Sequence, residues 1–252
     1  MIQTLHKAGI PVPEIIKLPD GRDYLTHNGT MYVLTTKLNG KNIVNLNECD
    51  DIWFFEFGRI LVKLHIAFGE CEKNISYWNN SMLEEMKEWV SRNLQEFKLE
   101  YLKQEDIKNS IDELSEFYDD LPKQLIHRDV HLGNFLFDNG VFSGYIDFDL
   151  SQSNIHIFDL CYFLLGILLE EDNNRVEEEK WYEIIQQVIR GYDSIVALSN
   201  IEKSAIVCVM KNIELLCVAY FLGVGDEKLA KDSADLFSFV KKNEDKIQDV
   251  VN

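Results

Sequence analysis

Asn139-Gly140 constrains this chain more than any other pair of residues. Both tolerate the positive φ of a two-residue hairpin turn, and both flanks suit strands: residues 134–137 and 141–148 are rich in Phe, Val, Ile and Tyr. The chain therefore folds back at Asp138-Asn139-Gly140. In a regular register Asn134 comes to face Tyr145, and Asp147 falls about two residues nearer the open end. Ser143-Gly144 is a candidate bulge that would adjust this pairing. The open end lies beside the loop carrying Asp129, so one amide oxygen and two carboxylates converge there. Hard oxygen ligands of this kind suit Mg²⁺, which takes few protein ligands and completes its shell with phosphates and water.

Phosphoryl transfer asks the protein mainly to position groups and to stabilise charge. A carboxylate orients the acceptor hydroxyl and takes its proton, while metal ligands hold Mg²⁺ on the nucleotide. Asp129 fits the first task, and Asn134 and Asp147 fit the second. Each also has a plainer reading: a loop carboxylate capping backbone donors, a turn amide and a strand-end acid. Asp159 opens an apolar helical segment, where an N-cap and a support for the loop are compatible roles. His131 reads as a loop-packing residue or a proton shuttle. Asp149 shares a strand face with Asp147 and is a candidate for metal or substrate contact.

Composition narrows the remaining classes. The 252 residues suffice for one large domain or two modest ones, and 46% are hydrophobic, which allows a sizeable core. With 43 acidic and 25 basic residues the net charge is −18, which argues against a nucleic-acid partner. An ordinary acidic surface is the simplest reading of that charge, and a cationic substrate is compatible with it. The cysteines, Cys49, Cys71, Cys161, Cys208 and Cys217, are odd in number and widely spaced, so neither a zinc site nor a disulfide framework is expected. Free thiols and an N-terminus without a signal-peptide core point to the cytoplasm. Residues 201–223 are apolar enough to raise the question of a membrane span. Lys203, Lys211 and Glu214 interrupt them, so a buried core helix is expected and no membrane.

Along the chain, residues 1–8 read as a helix stopped by Gly9, and residues 14–18, 22–26 and 31–38 as short strands. After Leu38 the pattern turns helical. Helices are expected at 51–65, 81–97, 105–118, 158–169, 177–198, 201–222 and 227–240. Inward positions include Phe97 and Ile195, and His65 sits at a helix end. Asp172-Asn173-Asn174 reads as a polar loop. Residues 38–41 make the natural hinge between a β-rich part, 1–37, and a helical part, 42–252.

Taken together, His127, Asp129 and Asn134, the Ile146-Asp147-Phe148 segment, Phe158-Asp159-Leu160 and Leu64-His65 resemble the aminoglycoside phosphotransferase and choline kinase-like family, distant relatives of protein kinases. Gly9-Ile10-Pro11-Val12-Pro13 is similar to the segment that follows that family's first long helix. The resemblance covers most of the chain and implies an α+β, protein-kinase-like fold, with a shortened β-rich front and a large helical C-lobe carrying the catalytic loop and hairpin. It implies ATP as co-substrate, Mg²⁺ held by Asn134 and Asp147, Asp129 as base, and a small hydroxylated acceptor such as an aminoglycoside, choline, homoserine or a sugar. It further implies that His127 and Asp159 support the loop and that the backbone of Thr36, Lys37 and Leu38 receives adenine. Arg128 stands where the small-molecule branch usually has Gly, and a nearby acid is its expected partner. The family's phosphate loop, strand Lys and helical Glu match no residue here. Residues 1–37 are accordingly read as the remnant of a nucleotide lobe. Either a longer kinase has been cut short, or this is a shortened homologue that binds ligand and turns over weakly. Acidic and aromatic candidates for the acceptor wall are Asp149, Glu170, Glu171, Tyr182 and Tyr220.

Overall fold

The computed structural model describes residues 1–43, 46, 49–73, 75–97, 99–169 and 176–252. Glu170, Glu171 and the Asp172-Asn173-Asn174 loop lie outside the described residues. Helix α1 (Ile2–Lys7) precedes a hairpin of β1 (Leu25–His27) and β2 (Thr30–Tyr32). Then come α2 (Asp51–Glu72), α3 (Met82–Glu85), a π-helical turn (Met86–Val90), α4 (Ser91–Glu96) and α5 (Gln104–Phe117). The centre holds β3 (Lys123–Ile126), β4 (Phe135–Asp138), β5 (Val141–Tyr145) and β6 (Gln152–Ile155). Helices α6 (Ile157–Leu169), α7 (Glu178–Asp193), α8 (Asn200–Val224), α9 (Glu227–Lys242) and α10 (Glu244–Val251) close the chain.

Each sheet has two antiparallel strands: β1 with β2, β3 with β6, and β4 with β5. The expected hairpin forms. Asn139 and Gly140 have φ of 51° and 78°, the left-handed pair that a tight turn of this kind requires. Register slips between Leu136 and Phe137, because Phe137 pairs with Phe142 and Leu136 with Gly144, leaving Ser143 as the bulge. Aromatic packing seats the hairpin on the helices. Phe57 of α2 stacks on Phe163 of α6 at 3.8 Å and lies 4.8 Å from Phe135 of β4, while Trp53 lies 5.3 Å from Phe137. The Tyr145 hydroxyl donates to the Ile60 carbonyl at 2.5 Å.

Helix α2 starts where expected, with the Asp50 carboxylate accepting from Trp53 N at 2.8 Å. It continues to Glu72, so His65 lies inside the helix and not at its end. Helices α2 and α7 approach to backbone contact: a Cβ on Gly58 would stand 2.0 Å from the Val188 carbonyl, and one on Gly191 would stand 1.9 Å from that of Phe55. Helix α8 is long and apolar enough to cross a membrane, but 78% of its apolar window is buried in the protein. Its interior Lys211 is paired with Glu113 at 2.7 Å and Glu244 at 2.8 Å.

Several expectations are corrected. The early strands contract to β1, β2 and an isolated Ile15–Thr35 bridge. Pro11, Pro13 and Pro19 supply no N–H, the Asp20 carboxylate takes the Arg22 amide at 3.1 Å, and all six residues of β1 and β2 are exposed. Helix α7 stops at Asp193, whose carboxylate accepts from Leu198 N at 2.9 Å, so Ile195 is left at the surface. Phe97 follows the end of α4 and is also exposed. Beyond the expected helices, α10 buries Ile247 and Val251.

Candidate active site

The loop joining β3 to β4 enters from a buried strand end, and Asp159 fixes its first residues. This carboxylate, wholly buried in the first turn of α6, accepts from His127 N at 2.8 Å and from Arg128 N at 2.8 Å. It also receives Nε2 of His65 at 3.1 Å. His127 is buried too, its Nε2 lying 3.1 Å from the Ile146 carbonyl and its ring against Phe148. One side chain therefore binds the loop to α6 and another binds it to the strand leading to Asp147.

Arg128 has φ of 74°, the left-handed region where a side chain is strained and glycine is not. Its guanidinium is well anchored: Nη2 donates to Glu85 at 2.8 Å, the group lies 4.4 Å from the Phe158 ring, and the Gln152 amide lies 3.2 Å from Nε, its oxygen accepting there once the amide is turned to satisfy both its neighbours. Glu85 is the acid expected near Arg128.

Asp129 and Asn134 meet directly. Asn134 Nδ2 donates to the Asp129 carbonyl and to Oδ2, both at 2.9 Å. His131 Nε2 lies 3.4 Å from the same Oδ2, and the Tyr162 hydroxyl donates to Oδ1 at 3.3 Å. The hydrogen bond from His131 holds the Asp129 carboxyl below its ordinary range; partial burial opposes this, and the Asn134 amide adds to it. Burial pushes the Tyr162 hydroxyl far up, so it serves as a neutral donor. The bulge brings Ile146 opposite Asn134, and Ile146 N donates to the Asn134 carbonyl at 3.1 Å. Asp147 follows, exposed, with φ of 61°, and Asp149 is exposed in the turn beyond it.

Two of these contacts were not read from the sequence. Tyr162 had a signal: it follows Asp159 by one helical turn and is the polar member of an apolar run, hence on the same face. Asn42 had none. Its Nδ2 lies 3.3, 2.6 and 3.1 Å from the carbonyls of Leu132, Gly133 and Phe135, tying the chain at residue 42 to the loop. Of the three residues expected to receive adenine, Thr36 N donates to the Glu14 carbonyl at 2.8 Å, Lys37 is exposed, and Leu38 packs on Gly144. Tyr182 does not face the loop: its hydroxyl donates to Glu178 at 2.9 Å and Lys246 of α10 covers its ring at 3.9 Å. Tyr220 is exposed beside Phe221.

A sequence model of the phosphotransferase enzyme family matches residues 1–199. The chain belongs to this family. Among curated relatives of this phosphotransferase-family chain, the homoserine kinase of Zymomonas mobilis is 25% identical over 222 residues, covering 85% of this chain and 66% of the relative. The chain thus spans about two thirds or less of the curated relatives it matches. Among solved structures, the amicoumacin kinase hAmiN, in complex with AMP-PNP and Ca²⁺, superposes with a TM-score of 0.71 at 19% identity, over 98% of this chain and 75% of that one. An aminoglycoside phosphotransferase from Alicyclobacillus acidocaldarius gives 0.69 at 13% identity, over 99% and 80%. The fold is therefore the α+β, kinase-like fold of these proteins, with a mostly helical C-terminal part.

Proposed function

We propose that this chain transfers the γ-phosphate of ATP to the hydroxyl of a small, amine-bearing acceptor. The observation that carries the reading is the state of Asp129. It is half-buried, held ionised, and fixed by Asn134, His131 and Tyr162 at the mouth of a hairpin that presents Asp147. In this reading Asp129 orients the acceptor hydroxyl and takes its proton as the O–P bond forms. Because Asn134 Nδ2 is spent on Asp129, its Oδ1 is the atom left to meet a cation, and the exposed carboxylate of Asp147, next in the chain to the Ile146 that pairs with Asn134, would join it. Among the described residues no three His, Cys, Asp or Glu side chains cluster closely enough to hold a metal. That fits Mg²⁺, which shares its shell with phosphate oxygens and is not caged by protein alone. When bound, Mg²⁺ would neutralise charge on the phosphates.

Within the hinge triplet the Thr36 amide is already committed, so adenine would contact the backbone of Lys37 and Leu38. His127 and Asp159 would support the loop, His131 would orient Asp129, and Asp149 would face metal or acceptor. Homoserine and aminoglycosides, the acceptors named for the relatives, are amine-bearing alcohols, the first a zwitterion and the second polycations, and the acidic character of this chain, at −18, suits the cationic kind.

The test is ADP release from Mg-ATP in the presence of homoserine, choline, aminoglycosides and neutral sugars. The expected outcome is turnover with an amine-bearing alcohol that disappears in Asp129→Ala. Absence of nucleotide binding by calorimetry would remove the reading. Nucleotide binding without turnover for any acceptor would favour a ligand-binding relative.

A further inference from the structure

Behind Asp159 lies a file of buried polar groups that the proposed reaction does not use. His65 Nδ1 is 2.8 Å from the Tyr192 hydroxyl, which is 3.1 Å from His156 Nδ1. His156 Nε2 meets Oε1 of Glu202, and Oε2 of Glu202 accepts from Ser199 N at 2.8 Å and Ser199 Oγ at 2.6 Å in the capping box that starts α8. The file thus crosses α2, α7, the residue before α6, and α8.

Hydrogen-bond parity assigns each link one direction. Asp159 already accepts two loop amides, and a carboxylate can only accept, so His65 Nε2 carries the proton. Burial keeps His65 neutral, with its pKa lowered, so Nδ1 is a lone pair and the Tyr192 hydroxyl donates to it. The Tyr192 oxygen then accepts from His156 Nδ1. Nε2 of His156 faces a carboxylate, so it is protonated as well. Burial pushes Glu202 up, but its donors His156 and Ser199 outweigh this and hold it ionised. The other titratable groups facing the file have partners of their own: Asp193 is paired with Lys203 at 2.6 Å, and His127 Nε2 is bonded to the Ile146 carbonyl.

We infer that Tyr192, His156 and Glu202 are positioning residues, a one-way relay that fixes the proton on His65 and so holds Asp159 against the backbone of the loop bearing Asp129. The relevance to catalysis rests on the phosphotransferase reading of that loop; the relay itself does not.

Nitrogen-15 NMR of the histidine rings in the full chain at pH 7 tests it directly. His156 is expected to carry protons on both nitrogens, and His65 on Nε2 alone. In Tyr192→Phe, amide exchange at His127 and Arg128 is expected to accelerate roughly tenfold, the size of one hydrogen bond, with kcat falling by a similar factor and KM for ATP unchanged. A singly protonated His156, a His65 proton on Nδ1, or unchanged exchange at those two amides in a folded Tyr192→Phe would each overturn the relay. If Tyr192→Phe does not fold, the wild-type ring spectra decide. A wild-type chain that shows the expected protonation and exchange but transfers no phosphate would keep the relay and discard the enzymatic reading.

Discussion

At residue scale, the site is built from side chains that hold one another. Asp129→Asn keeps the shape of the side chain and the packing around it, so the fold should survive while, under the proposed phosphotransfer, kcat drops by about 10²–10⁴, measured as ADP release against wild type. Arg128 offers a sharper physical test. Its left-handed backbone strains every residue with a Cβ, while its side chain is anchored on Glu85, Phe158 and Gln152. Arg128→Gly and Arg128→Ala lose the same anchors, but only Gly relieves the strain. Gly should therefore be the more stable of the two by about 1 kcal/mol, the reverse of their order in a helix, as read from urea midpoints. The meeting of Asn134 with Asp129 was legible because a turn with a strong local signal sets the hairpin's open end beside the loop. Tyr162 and Asn42 were not singled out, because each reaches the loop through tertiary packing that no local pattern encodes.

At the scale of elements, the meeting of α2 and α7 sets the distance between His65 and Tyr192. Gly58 and Gly191 each face the other helix's backbone, with no room for a methyl group. Gly58→Ala should cost about 2–4 kcal/mol, since backbone carbonyls must move. Gly69→Ala in the same helix and Gly166→Ala in α6 have open space and should instead stabilise by up to about 1 kcal/mol. Urea denaturation of the variants gives the sign directly. Helix positions were readable from spacings of three and four, which is why α5, α6, α8 and α9 fall close to where the sequence places them, while α2 starts as expected and runs a further two turns. The π turn in the helix before α5 was not: it depends on Ser91 Oγ reaching back to the Met86 carbonyl at 2.6 Å, a side-chain choice among several a serine can make. The short early strands were over-read because β-prone residues there lie on an exposed surface, without the burial that normally extends a strand.

For the molecule as a whole, α8 is the structural axis and Glu214 its costliest residue. The carboxyl is buried, its Oε2 has no partner among the described residues, and burial pushes its pKa from the ordinary 4.5 up to about 8. The folded chain therefore keeps this proton where the unfolded chain releases it. This contribution is present in full below pH 4.5 and is lost as pH rises to about 8, a change on the order of a few kcal/mol. Glu214→Gln should remove that slope and be the more stable protein at pH 8, with little difference at pH 4.5, by urea midpoints at the two pH values. The fold class followed from the family resemblance of the central motifs, and the acidic, buried-helix character of the chain from composition and pattern. The cross-links that make one body of loop, hairpin and helices were not. The bulge at Ser143 shows what that body tolerates. Strand side chains alternate with a period of two, so the strand from Val141 to Tyr145 counts its residues in odd and even. Ser143 shifts the count by one, and the left-handed step at Asp147 leaves the alternation at the other end. Substitutions in this stretch change chemistry but not phase. An insertion or deletion of one residue changes parity, and only changes of two restore the face on which Tyr145 reaches Ile60.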